Sequence, residues 1–334
     1  MPTPVRVPRN HGPRILTGYT LNGYELAYLE NAKLRIAVNL SRGSHIPELV
    51  YKPRDLDLMF KPPQGHLHHT AFIPTAHDEK PYFDHHAGGW FECFPSGGPP
   101  VEYHGGRLGF HGELWGTPFA VERIEESADG CALTLVARTH RTPFEVRKTF
   151  KLTADEAELT ITERVTNLGA VDLDVLWGQH PTFGAPFVDE HAYVEAPASK
   201  YLEAPDAQTF KPWPRGPLAD GDLRRVRGQE SRSGKMAYLT GLDEGRARLV
   251  SPSHGLAFEL RWDATRFPYL WYYENAGQTG LPWFGRGYAV ALEPFTGAGW
   301  SQAEGKPTLT IRAGASVEAA FVARCEDFPA ARIP

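Results

Sequence analysis

Apolar and polar residues trade places with period two along much of the chain beyond residue 119. FAVERIEES, CALTLVART, FEVRKTFKLT and AELTITERVTN follow one another with short polar breaks. Such alternation sends successive side chains to opposite faces of a strand, so one face can be buried and the other wet. These four segments, between 119 and 167, predict an antiparallel meander. Beyond residue 170 the pattern continues through LDVLWGQ, KMAYLTGL, RARLVSP, LAFELRWD, PYLWYYENAG, YAVALEPFT, TLTIRA and ASVEAAFVAR. No stretch of twelve residues carries a helical stripe. Many strands at even spacing predict an all-β fold, a large antiparallel β-sandwich with long loops and little helix.

The first 110 residues have a different texture. One good strand, LRIAVNL (34–40), is followed by Pro53, Pro62, Pro63, Pro74, Pro81, Pro95, Pro99 and Pro100. Eight of the fourteen histidines fall between His66 and His111. Short strands carrying long loops are expected here, and long loops in compact domains tend to be functional. The 200–235 region, rich in Pro, Arg and Gly, is expected to be one long excursion. No internal repeat and no sharp change of composition divides the chain. It is therefore expected to form a single domain over 1–334, with 1–20 as an N-terminal extension or edge segment.

Composition narrows the picture. The 33 glycines and 29 prolines make up nearly a fifth of 334 residues, against roughly 12% in average usage. That argues against a helical bundle, where each costs about 1 and 3 kcal/mol respectively in a helix interior. The chain is 41% hydrophobic and 12% aromatic, enough to build a large core. A formal charge of -5 provides no basic field for nucleic acid or anionic lipid. The basic stretch LRRVRGQESRSGK (223–235) carries both signs and is expected to be a solvated loop. No apolar run approaches the roughly 18 residues of a membrane span. MPTPVRVPRN has no apolar core of a secretory signal. Three widely spaced cysteines, Cys93, Cys131 and Cys325, fit a reducing cytoplasm better than a disulfide framework.

Three segments could carry chemistry. The densest is HHAGGWFECFPSGGPPVEYHGGRLGFHGELWG (85–116). Its glycines allow close backbone approach to a ligand, and Trp90 and Trp115 offer flat apolar faces of the kind a sugar ring needs. The second is LWGQHPTFGAPF (176–187), with His180 at a strand end. The third is YAVALEPFTGAGW (288–300), with Glu293 ending an apolar strand. Imidazole donates or accepts a proton near neutral pH, and a carboxylate with a raised pKa can act as a base. Spacing alone does not bring the three together.

At these residues the sequence resembles the aldose 1-epimerase (mutarotase) family of galactose mutarotase-like folds. GFHGELWG (109–116), GQHPTFG (178–184) and ALEPFTG (291–297) match its two histidine motifs and its late glutamate in order and approximate spacing. The resemblance implies a galactose mutarotase-like supersandwich and a small-molecule sugar as partner, with no metal or organic cofactor. It also implies roles. Glu293 takes the proton of the anomeric hydroxyl, His180 protonates the ring oxygen, and His111 stabilises charge near the anomeric centre. The sequence departs from the family where an arginine usually grips sugar hydroxyls. The His-Gly motif continues as Glu113-Leu114-Trp115, and Arg107 and Arg286 are the candidates for a cationic clamp.

Around these three, Trp90, Glu92, Glu113, Trp115, Glu274 and Trp283 are candidate substrate contacts. Each has a plainer role as a core aromatic or an ion-paired carboxylate. HLHH (66–69), His77, Asp78 and DHH (84–86) also invite a cupin-like metal site, against the plainer role of a polar loop beside the pocket. A carbohydrate-binding protein without turnover is the other alternative. The oligomeric state is left open, a homodimer included.

Overall fold

The computed structural model describes residues 12–70, 80–85, 88–216, 221–299 and 309–329. The predicted meander is present: Ala120–Glu126, Gly130–Arg138, Phe144–Thr153 and Glu158–Asn167 pair in succession, all antiparallel. Four more strands, Ser316–Asp327, Leu256–Trp262, Arg246–Ser251 and Tyr193–Glu195, extend this sheet to eight. A seven-stranded sheet lies against it. Its order is Lys211–Pro212, Ala198–Leu202, Ser233–Leu242, Tyr269–Ala276, Tyr288–Phe295, Gly178–Gly184 and Trp90–Cys93. The early strand Leu34–Asn39 belongs to a five-stranded sheet whose edge is Arg14–Leu21. Among the described residues the α-helix is one short piece, Lys80–His85. No helix among them is long and apolar enough to cross a membrane.

Alternation explains how the two large sheets meet. In Phe144–Thr153 every second residue, from Phe144 to Leu152, is buried. These side chains interdigitate with the facing sheet: Phe94 and Phe144 are 4.8 Å apart between ring centroids, and Phe183 and Phe258 4.6 Å. Each such ring contributes about 1.5–3 kcal/mol by leaving water. The predicted excursion over 200–235 differs in one respect. It begins by pairing Ala198–Leu202 with Ser233–Leu242 and Lys211–Pro212, because Tyr201 and Leu202 have apolar surface to bury there.

A polar cluster sits between the sheets. The Lys148 ammonium lies 2.8 Å from both Glu92 and Glu163. Gln179 donates to Glu163 at 3.1 Å and accepts from the Trp90 indole at 2.8 Å. The Trp177 indole donates to Glu92. Burial disfavours the lysine charge, but the adjacent Glu163 and Glu92 carboxylates overcome this and push Lys148 up to about 12. Burial, and then repulsion from Glu92, pushes Glu163 up to about 8. A cation shared by two acids, each also accepting a side-chain hydrogen bond, is an arrangement a dry interior tolerates.

Candidate active site

Sheet register decides which side chains share a face. Gly178 pairs with Phe295 and Thr182 with Ala291, and that single register sets His180 opposite Glu293. On the next strands Phe91 pairs with His180, Trp271 with Glu293 and Tyr238 with Trp271. Tyr238, Trp271, Glu293, His180 and Phe91 therefore form one row across five strands, on the sheet face turned away from the eight-stranded sheet. A cavity of about 320 Å³ opens over Tyr238, Trp271, Glu293 and His180 of this row. His111, Phe110, Tyr82, Phe83, Trp283 and Phe60 close over it from the loops.

Local backbone chemistry holds His111 above the row. His111 (φ 62°) and Gly112 (φ 77°) both take left-handed conformations. At Gly112 a Cβ would sit 2.4 Å from the Phe94 carbonyl oxygen, so only glycine fits. The His111 N–H donates to the Gly98 carbonyl at 2.9 Å, and the Gly98 N–H donates to His111 Nδ1 at 3.0 Å. Nδ1 is thereby an acceptor, and a neutral His111 carries its hydrogen on Nε2. Its ring lies 5.2 Å from that of His180.

His180 and Glu293 form a close pair, with Nε2 3.3 Å from Oε1. The Phe91 ring stacks on His180 at 4.3 Å. Burial depresses His180 to about 3 and raises Glu293 well above the ordinary carboxyl range. The Thr182 hydroxyl lies 2.9 Å from His180 Nδ1 and donates to the His180 carbonyl at 3.5 Å. That leaves it as acceptor for Nδ1–H and turns the Nε2 lone pair toward Glu293. Both shifts favour the uncharged form of the pair, a protonated Glu293 beside a neutral imidazole, over carboxylate with imidazolium. Glu–COOH with neutral His has the same proton count as carboxylate with imidazolium. One proton shift creates a base and an acid together.

These shifts fix a dependence of stability on pH. Folded Glu293 keeps a proton that the unfolded chain loses above its usual value of 4.5, so its contribution falls as pH rises from there to the folded pKa. Folded His180 refuses a proton that the unfolded chain takes up below 6.5, so its contribution is lost as pH falls from 6.5 toward 3. Between 4.5 and 6.5 the slopes oppose; above 6.5 the Glu293 slope acts alone, up to about 1.4 kcal/mol per pH unit. Glu293→Gln mimics the protonated acid. Its thermal midpoint is expected to exceed wild type at pH 8, with the gap closing toward pH 5. A gap independent of pH in calorimetry would contradict the raised Glu293 pKa.

The structure thus brings together His111, His180, Glu293 and Trp283 of the residues singled out in the sequence. Others lie elsewhere, for reasons of alternation. Trp90 and Glu92 flank Phe91 and so point to the opposite face, into the polar cluster between the sheets. Glu274 follows Tyr273 and also points away. It is fully buried, paired with Arg227 at 2.7 Å and Lys235 at 3.2 Å. Glu113 accepts the Arg141 N–H at 3.1 Å, outside the cavity. Trp115 packs edge-on behind Tyr82 at 5.3 Å and donates to the Phe110 and Gly112 carbonyls. Arg107 is exposed beside Glu102, and Arg286 reaches the Pro63 carbonyl. Neither lines the cavity.

The sequence alone did not mark Tyr82, Phe110, Tyr238 or Tyr273 as cavity walls, and left Trp271 between a core aromatic and a substrate platform. Once Glu293 is placed on a face, period two across the register delivers Trp271, Tyr273 and Tyr238. Among the described residues no group of three or more His, Cys, Asp or Glu could hold a metal ion. His68 is bonded to Thr70 at 3.0 Å, and His69 packs on Tyr24. His77, Asp78 and His86 lie outside the described residues.

Comparison with known proteins agrees with this architecture. The model of a family described as a domain of unknown function, DUF4432, matches residues 21–316. A candidate aldose 1-epimerase from Klebsiella pneumoniae superposes with a TM-score of 0.74 at 14% identity, over 96% of this chain and 88% of that one. A galactose mutarotase-like protein from Clostridium acetobutylicum gives 0.69 at 12% identity, over 96% and 100%. The Slr1438 protein from Synechocystis sp. PCC 6803 gives 0.69 at 18%, over 95% and 98%. At these identities the likeness is one of fold: a galactose mutarotase-like β-sandwich. No curated protein matches the sequence.

Proposed function

We propose, from the premise that this chain belongs to the DUF4432 family and has the galactose mutarotase-like fold, that it interconverts the α and β anomers of an aldose. The observation that carries this is the His180–Glu293 pair, 3.3 Å apart on neighbouring strands at the floor of an aromatic cavity. The ring oxygen and the anomeric hydroxyl of a pyranose are bonded to one carbon. A base and an acid serving both must therefore stand side by side, as these two groups do. When the sugar supplies hydrogen bonds to the charged forms, the Glu293 proton moves to His180 and Glu293 becomes a carboxylate. Glu293 then removes the anomeric proton as His180 protonates the ring oxygen. The C1–O5 bond breaks, giving the open aldehyde. Rotation about C1–C2 and the reverse transfers close the other anomer. His111, with Nε2–H, offers a hydrogen bond to oxygen as charge develops. Trp283 and Trp271 supply flat faces to the ring.

The chemistry is proton transfer between positioned groups and draws on no metal or organic cofactor. Cys93, Cys131 and Cys325 are buried and unpaired, which supports a reducing, cytoplasmic setting. The test is to add the protein to freshly dissolved α-anomers of a broad sugar panel. Optical rotation or one-dimensional NMR is expected to show accelerated approach to equilibrium. Sugar binding by calorimetry with no acceleration for any member would reject turnover and leave a binding protein.

A further inference from the structure

The same pair orients a bound sugar, and orientation assigns each wall to a part of the substrate. The inference rests on the anomeric reading of His180 and Glu293. The row across the sheet runs Trp271, Glu293, His180, Phe91. With the anomeric hydroxyl on Glu293 and the ring oxygen on His180, C2 falls toward Trp271. C5, bonded to the ring oxygen, falls beyond His180. That side is mostly aromatic, with the His111 imidazole, assigned to the anomeric centre, as its polar member at 4.8 Å from Tyr82 and 4.2 Å from Phe110. Phe91 stacks on His180 at 4.3 Å, Tyr82 lies 5.5 Å from Phe91, Phe110 5.2 Å from Tyr82 and Phe83 5.2 Å from Phe110. Phe83 continues to Trp283 at 6.5 Å.

An exocyclic hydroxymethyl group pushed into this set would lose hydrogen bonds to water, whereas a methyl group would bury apolar surface there. Among the described residues lining the cavity the acid is Glu293, and no Lys or Arg lines it to receive a phosphate or carboxylate at C5. The geometry points to an uncharged aldose whose C5 substituent is apolar, of the 6-deoxyaldose class, as the preferred substrate.

The test uses the wild-type protein and matched pairs: 6-deoxy-D-glucose against D-glucose, 6-deoxy-D-galactose against D-galactose, and D-glucose 6-phosphate. Anomer exchange is read by NMR exchange spectroscopy. Binding is read separately by quenching of tryptophan fluorescence, since Trp271 and Trp283 line the cavity. In at least one pair the 6-deoxy sugar is expected to lead by about 10- to 100-fold in kcat/KM, the range one polar or apolar group commands in an apolar pocket. The phosphate should be the poorest. Parity within both pairs, or preference for the hydroxylated or phosphorylated sugar, overturns the assignment. If no sugar is exchanged, the catalytic reading fails on its own. The C5 assignment then stands if the 6-deoxy sugars still bind more tightly, and falls if they do not. Phe83→Asn, placing an amide among these rings, is expected to narrow the ratio within a pair while both sugars are still exchanged.

Discussion

Glu293→Gln is expected to lower the rate of anomer exchange by about 10²- to 10⁴-fold, the usual contribution of a positioned general base. The substitution keeps size and the ability to hydrogen-bond, so the His180 contact at 3.3 Å can persist. It removes the one function the mechanism needs, a carboxyl group that gives up its proton and takes another. Sugar binding should survive, because the aromatic walls are untouched; calorimetry on the variant separates loss of binding from loss of chemistry. Glu274→Gln is the matched control. It lies on a neighbouring strand with its side chain on the opposite face, toward Arg227 and Lys235. Its exchange rate should stay near wild type. A Glu293→Gln enzyme with an unchanged rate would remove Glu293 from the base role.

The second large effect concerns stability. Lys148→Met is expected to cost about 3–5 kcal/mol, the penalty for removing one partner of a buried ion pair. The methionine fills the space of the lysine stem. Glu92 and Glu163 then face each other between the sheets with their shared cation gone. The loss should appear as a lower denaturation midpoint in urea at unchanged slope. Adding Glu92→Gln and Glu163→Gln to the same chain should recover part of it, since the uncompensated charges are then removed. A single variant within about 1 kcal/mol of wild type would mean the cluster is wetter than its burial implies.

The meander over 119–167 was legible because alternating residues with one buried face have one stable arrangement. The three motifs around His111, His180 and Glu293 were legible as motifs. Their convergence was not, since it depends on which residue of Gly178–Gly184 pairs with which of Tyr288–Phe295. A slip of one residue would turn Glu293 into the core. The same arithmetic explains Trp90, Glu92 and Glu274. Each is adjacent in sequence to a residue of the cavity face, and adjacency in a strand means the opposite face. Tyr82 carried no signal of its own. It sits on the short Lys80–His85 helix within a His-rich stretch that drew attention to imidazoles instead of to the ring that packs on His111 at 4.8 Å.

His180 and Glu293 project from paired central strands, whereas Tyr82, Phe83, Phe110 and Trp283 come from three separate connections. Hydrogen bonding between strands fixes the spacing of the first two; nothing of that ladder fixes the others. Descendants of such a scaffold can exchange one connection at a time and meet a new sugar without rebuilding the proton-transfer pair. Divergence in this lineage should therefore be written mostly in its loops, and grafting those three connections between relatives is a direct route to altered selectivity.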